Sequence, residues 1–290
     1  MKTVVHLCSS GQKKSGVDVG AQQIANAMLR HDIATDKDIT YVQQYYKTSS
    51  IFGSIGYKNA MVQHNILEQN GTPWLSIGGD HSIAAATIEP ILAYNNSDTL
   101  IIWVDAHADI NNYATSPSKN SHGMPVAYLM GLIEEEKCGL QPPRCKLNPN
   151  NILYIGIRDL DVGEIERIDK MNIAFFSNSN DLKLLRGNMG QINVQNIYNW
   201  VKEKKLNRVH FSIDIDGCDP SEMPSTGTTS SGGLSVEILL NMVEEISKIK
   251  KVKSADLVEF NPYLGNDMQN CQTLNNSIKL IKLLNKIINS

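Results

Sequence analysis

No apolar stretch in this 290-residue chain is long enough to cross a bilayer. No long basic run stands out, and the formal charge of -3 leaves no nucleic-acid footprint. Aromatic residues make up only 6%. Five cysteines (Cys8, Cys138, Cys145, Cys218, Cys271) are scattered and odd in number. Cys138 and Cys145 lack a zinc-knuckle spacing, so reduced thiols are expected rather than a disulfide framework. The apolar segment at the amino terminus is too short for a signal peptide, which points to a cytoplasmic protein. Hydrophobic content of 41% and charged content of 20% fit a soluble globular chain.

What is present is an alternation of strand-like and helix-like segments. Strands are expected over 1–8, 38–43, 73–77, 100–105, 152–157, 172–176, 209–214 and 252–260. Helices are expected over 17–29, 57–69, 83–94, 124–133, 192–204, 235–248 and 274–288. Gly71 suits a helix C-cap. The segment 134–150, with Pro142, Pro143 and Pro149, reads as an irregular surface loop. Residues 217–233 form a second polar loop. No repeat or linker appears, so one domain over 1–290 is expected. Near-continuous apolar strands in βα alternation predict a mostly parallel central sheet with helices on both faces, an α/β fold of three layers.

Two stretches carry the chemistry. Leu100 to Val104 is an apolar run that opens into Asp105, His107 and Asp109, spaced two apart. Alternate residues of extended chain share one face, so these three side chains converge at a strand end. About a hundred residues on, the strand of 209–213 ends in Asp214 and Asp216. His81 follows a third strand and the turn glycines Gly78 and Gly79. Each residue alone has a bland reading: a loop histidine, a helix-capping aspartate, or a fragment of a calcium loop lacking the full ligand pattern. Capping does not require three ligand types on one strand face. The candidates His81, Asp105, His107, Asp109, Asp214 and Asp216 therefore suggest a two-metal site. Imidazole mixed with carboxylate favours a transition metal such as manganese. Four aspartates balance two divalent ions, and a water between two such ions is acidified into a nucleophile. A net-negative pocket favours a cationic substrate.

The stretches GGDHS (78–82), DAHADIN (105–111), SIDIDGCDP (212–220) and ADLVEFNP (255–262) together resemble the ureohydrolases, and among those the arginases. The resemblance runs from GQKKSGV (11–17) to the last helix. Ile213 stands where relatives commonly carry Phe, a conservative change. The resemblance implies a three-layer α/β/α domain that binds two Mn2+ and hydrolyses L-arginine to L-ornithine and urea. It implies one ion on His81, Asp105, Asp109 and Asp214, and the other on His107, Asp105, Asp214 and Asp216. Glu259 corresponds to the carboxylate that pairs with the guanidinium and His122 to the proton-shuttling histidine, and Asp109, besides being a metal ligand, is expected to be catalytic with them. Asn111, Ser118 and Asn120 correspond to residues engaging the α-carboxylate, Asp161 to the α-ammonium partner, and Thr228 to a residue near the guanidinium. Arginases usually assemble as trimers or hexamers. Glu237 falls where several relatives carry an interface arginine. The rivals are an agmatinase or another guanidino-compound hydrolase, a formiminoglutamase, a non-catalytic arginine-binding relative and a fold-related zinc deacetylase.

Overall fold

The structure is a computed structural model describing residues 1–43, 52, 55–95, 98–134 and 138–290. Part of the loop expected over 134–150 (residues 135–137) lies outside the described residues. The frame is an eight-stranded sheet in the order β2-β1-β3-β8-β7-β4-β5-β6. The strands are β1 (Lys2–Leu7), β2 (Ile39–Gln43), β3 (Trp74–Ile77), β4 (Thr99–Val104), β5 (Ile152–Ile155), β6 (Ala174–Phe176), β7 (Arg208–Asp214) and β8 (Lys251–Val258). Every pairing is parallel. The sheet is thus wholly parallel, because each connection passes through a crossover.

Strand β4 shows why. Leu100, Ile101, Ile102, Trp103 and Val104 are all fully buried. Leu100, Ile102 and Val104 join the core on one face, and Ile101 and Trp103 join the other. Each fully buried aliphatic side chain contributes about 1.5–3 kcal/mol. A strand apolar on both faces is stable only between two helical layers. One layer holds α1 (Val17–Arg30), α6 (Val194–Glu203), α7 (Val236–Ser247) and α8 (Asp267–Ile288). The other holds α2 (Ile55–Gln69), α3 (Ala84–Asn95), α4 (Pro125–Leu129) and α5 (Val162–Met171).

Boundaries depart from expectation where local chemistry overrides period. Helix α4 spans only 125–129 because Gly131 takes φ 69°, a left-handed stop. Helix α8 begins at Asp267, ahead of the expected 274. Its N-terminus is a capping box between Asn266 and Gln269, and its first turns are too polar to show periodicity. Helix α5, over 162–171, was not expected at all; Asp161 and Glu164 form its capping box. Strand β5 ends two residues early, at Ile155. None of the described cysteines forms a disulfide.

Under the sheet, on the α2–α3 side, lies a buried histidine cluster. His64 Nε2 and His6 Nε2 lie 2.8 and 3.4 Å from Ser76 Oγ, and the two rings stack at 5.3 Å. Burial above all, then the neighbouring His64, depresses His6 to about 3. Burial depresses His64 to about 4. Both are neutral when folded, and both take up protons below about 6.5 when unfolded. Their contribution to stability is therefore present above pH 6.5 and is lost as pH falls toward 4. The expected slope is on the order of 1.4 kcal/mol per pH unit for each histidine. Denaturant unfolding at pH 7 and pH 5 should show this loss, and the double variant His6→Gln/His64→Gln should flatten it. An equal slope in the variant would refute the assignment.

Candidate metal centre and substrate cavity

Five neighbouring strands, β3-β8-β7-β4-β5, aim their carboxyl ends at one place. The register pairs Val104 with Ile213 and Asp214 with Val258, so the residues just beyond emerge level along one edge. Such edges are where open parallel sheets build sites. His81 opens a short 3-10 turn after β3, capped by Asp80 through Ser82 N–H. Asp105 follows β4, and Asp214 ends β7.

His81 Nδ1 lies 3.0 Å from Asp105 Oδ2, 3.3 Å from Asp109 Oδ2 and 3.5 Å from Asp214 Oδ2. His107 Nδ1 lies 3.2 Å from both Asp105 Oδ1 and Asp216 Oδ2. Ligand atoms of His81, Asp105 and Asp214 form one compact group, and those of Asp105, His107 and Asp216 a second. Asp105 belongs to both, offering one oxygen to each. Asp214 falls in the first group only. The other nitrogen of His81 is 3.0 Å from Ser212 Oγ, and its ring stacks on Trp103 at 4.0 Å. Trp103 Nε1 also donates to Asp105 Oδ2 at 3.0 Å.

The electrostatics of these groups are those of a cation site. Burial raises Asp109 well above the carboxylate range, and Asp105 beside it adds to the shift. Burial does the same to Asp214, aided by Asp216 and Asp105, and raises Asp216, aided by Asp105. Burial opposes charge on His81, yet Asp105 and Asp214 hold it well above its ordinary range. Burial likewise opposes charge on His107, and Asp216 and Asp105 raise it. Asp105, buried but flanked by both imidazoles, is held far below the usual range. Buried carboxylates that cannot all ionise together, facing two imidazole nitrogens, are a donor set suited to divalent transition metals.

Beside the groups lies Glu259, at φ 73° in the left-handed region. That conformation costs a non-glycine residue on the order of 1 kcal/mol, and the bond from Glu259 N–H to Gly79 O at 2.9 Å holds it. Its Oε1 accepts from His81 N–H at 2.9 Å and from His122 Nδ1 at 3.2 Å. Burial disfavours charge on Glu259, but the bond from His122 keeps it below the usual range. His122 is raised in turn: burial opposes its charge and Glu259 outweighs it.

A cavity of about 230 Å³ opens over the centre, lined by His107, Asp109, Asp214 and His122. Asn111, Ser118, Asp161 and Thr228 form more of its wall. Asn111 donates to Asp161 Oδ2 at 2.8 Å, and Thr228 Oγ1 donates to Asp216 Oδ2 at 2.9 Å. Asn120 does not line the cavity; its N–H donates to Ser118 Oγ at 3.2 Å. Glu259 sits behind His122, 2% exposed.

Other residues were not among the candidates. Asp159 lines the cavity and reaches His107 Nε2 at 3.8 Å. Its i, i+2 spacing from Asp161 was the available signal. Glu164 also lines the cavity; burial pushes it up to about 7 while it accepts from Asp161 N–H and Ile110 N–H. Arg158 donates to Asp216 O at 2.7 Å and Ser230 O at 2.6 Å, tying the loop after β7 to the centre.

A wholly parallel sheet between two helical layers, with two imidazole–carboxylate groups at its carboxyl edge, defines an α/β protein with a candidate two-metal centre. The family model described as "Arginase family" matches residues 4–282. The arginase of Staphylococcus aureus (strain COL) is 34% identical over 275 residues, covering 89% of this chain and 88% of its own. Arginase-1 of Rattus norvegicus is 32% identical over 292 residues, covering 94% and 88%. The structure of Entamoeba histolytica arginase in complex with L-ornithine superposes with a TM-score of 0.78 at 27% identity, covering 98% and 97%. A putative agmatinase from Clostridium difficile shares the fold, with a TM-score of 0.73 at 16% identity. The chain belongs to the arginase family.

Asp105 is the one carboxylate shared by both groups. Asp105→Asn is expected to lose metal from both positions, and Asp216→Asn from one, read as metal per chain after dialysis against Mn2+. Saturating Mn2+ should raise the melting temperature of the wild type, by about 2.7 kcal/mol of stability at a hundredfold excess over Kd. Equal metal content in the two variants would refute the shared role.

Proposed function

We propose that this protein is a manganese-dependent arginase, hydrolysing L-arginine to L-ornithine and urea. The observation carrying this reading is that one cavity is lined by His107, Asp109 and Asp214 of the candidate ligands, by His122, which holds Glu259 behind it, and by the polar wall of Asn111, Ser118 and Asp161. In this reading His81, Asp105, Asp109 and Asp214 would hold one Mn2+, and His107, Asp105, Asp214 and Asp216 the other. When bound, the pair makes hydroxide available near neutral pH. The chain's own residues do the rest. Glu259 pairs with the guanidinium by a charge-assisted contact and fixes its plane. The guanidinium carbon would take up the hydroxide oxygen as its bond to the side-chain nitrogen breaks, and Asp109 would accept the proton that oxygen carried, so that urea and the amine of ornithine part. That amine leaves only after gaining a proton. His122, held protonated by Glu259, is the group placed to deliver it. Asp161 receives the α-ammonium, and Asn111 and Ser118 receive the α-carboxylate; Asn120 acts on that end through Ser118. Thr228 braces Asp216.

A second reading, an agmatinase, rests on the shared fold of the putative agmatinase. It has no use for carboxylate-binding donors in the wall.

His122→Ala should keep both metals and slow turnover, with partial rescue by free imidazole. Unchanged kcat across the pH range would remove the proton role. L-arginine should be preferred over agmatine by on the order of 10⁴-fold in kcat/KM, less if water fills the gap. Asp161→Ala should erode that preference with metal content intact. Equal use of agmatine by the wild type would overturn the arginase assignment while leaving the ureohydrolase one.

A further inference from the structure

The amino-terminal loop, residues 9–16, contributes nothing to the ligand groups, yet it is fastened to every side of the site. Gly11 N–H donates to Asp80 Oδ2 at 2.8 Å, and His122 N–H donates to Gly11 O at 3.1 Å. A Cβ at Gly11 would lie 2.2 Å from Asp80 Oδ1, so only glycine permits this approach. Lys14 Nζ donates to Gly227 O, next to Thr228. Asn261 Nδ2, just past Glu259, donates to Ser15 O at 2.9 Å. The loop thereby joins the segments after β3, β4, β7 and β8.

Between these fastenings stands Gln12, 5% exposed. Its Nε2 donates to Glu259 Oε2 at 2.6 Å. A carboxylate offers roughly four acceptor sites. His81 N–H and His122 take two on Oε1, and Gln12 takes one on Oε2. A single acceptor site is left on Oε2, and the donor that sets its direction is Gln12. We infer that Gln12 is a positioning residue: its amide locks the rotation of the Glu259 carboxylate and aims the remaining acceptor at the substrate guanidinium. This deepens the arginase reading and rests on it. Oε1 is fixed by two donors, but a carboxylate pinned at one oxygen still swings about that point. Without Gln12, the second oxygen is buried with nothing to orient it, and the guanidinium binds with its carbon misaimed.

The test uses the Mn2+-loaded full chain with L-arginine. Gln12→Met preserves the bulk and removes the donor. It is expected to lower kcat by about 10- to 100-fold, the range for a hydrogen bond to a charged group, and to change KM less than kcat. Melting temperature and metal content should match the wild type. Gln12→Glu is isosteric but sets a carboxylate against Glu259, and should lose more. Gln12→Asn keeps an amide on a shorter stem and should recover part of kcat. In a Glu259→Gln background, calorimetric titration with L-arginine should show no further loss from Gln12→Met. Unchanged kcat in Gln12→Met would overturn the inference. So would a lower KM, which would make Gln12 a placeholder that substrate displaces. So would an additive loss in the Glu259→Gln background. Should Gln12→Met fail to fold, Gln12→Asn and Gln12→Glu carry the same comparison, and equal kcat in the two would overturn it. A wild type that releases no urea from any guanidino compound overturns the parent reading instead, a result none of the Gln12 variants can produce.

Discussion

Four aspartates converge within a few ångströms at the carboxyl edge of the sheet, and their mutual repulsion is the constraint around which the rest is arranged. Burial first, and then the charge of neighbouring carboxylates, drives Asp109, Asp214 and Asp216 toward the protonated form. The fold tolerates this arrangement because imidazoles from different strands interleave with the carboxylates, and because divalent cations would turn the repulsion into binding energy. A cluster this unfavourable needs a rigid support. The support is a sheet whose central strands are buried on both faces and whose register brings β4, β7 and β8 out level.

Around the centre, His81 and Asp105 are each held by further partners. His81 is gripped between Ser212 and the ring of Trp103, which leaves Nδ1 for the carboxylates. Ser212 lies 3.4 Å from Asp256, which also accepts from Thr87 at 2.7 Å. Asp105 takes Trp103 Nε1–H on the oxygen facing His81 and His107 N–H on the other. Partners of this kind fix ring orientation and the direction of each ligand atom. The same logic extends to Glu259, a strained residue pinned by Gly79, His81, His122 and Gln12. Catalysis by electrostatic preorganisation depends on such pinning, since a carboxylate free to rotate would spend binding energy on its own ordering.

The cavity divides the work spatially. Its floor is the ligand set, and its wall is loop. Asn111 and Asp161 come from the loops after β4 and β5 and meet at 2.8 Å. Asp161 also caps helix α5 with Glu164. The cap fixes the carboxylate, and the fixed carboxylate is what a binding wall requires. Loops set between rigid strands can vary the recognised end of a substrate without disturbing the centre, which accounts for arginase-like and agmatinase-like chains sharing this frame.

The sequence by itself determined the parallel three-layer fold and picked out the candidate ligands. Doubly apolar strands have only one stable environment, and Asp105, His107 and Asp109 announce their common face through a period of two. It also placed His122, Glu259, Asn111 and Asp161, through the resemblance of their motifs. Only the tertiary structure decided how the candidate ligands cluster. Asp105 falls in both groups because its two oxygens face different imidazoles, a direction that spacing along a chain does not encode. Helix α5 went unread although its Asp161–Glu164 capping box is a sequence signal, and the early start of α8 shows only its capping box because its first turns are polar. Gln12 was illegible for the plainest reason. It lies 247 residues from Glu259, and nothing in a flexible-looking polar loop says which carboxylate, on the far end of the chain, folding will bring against it.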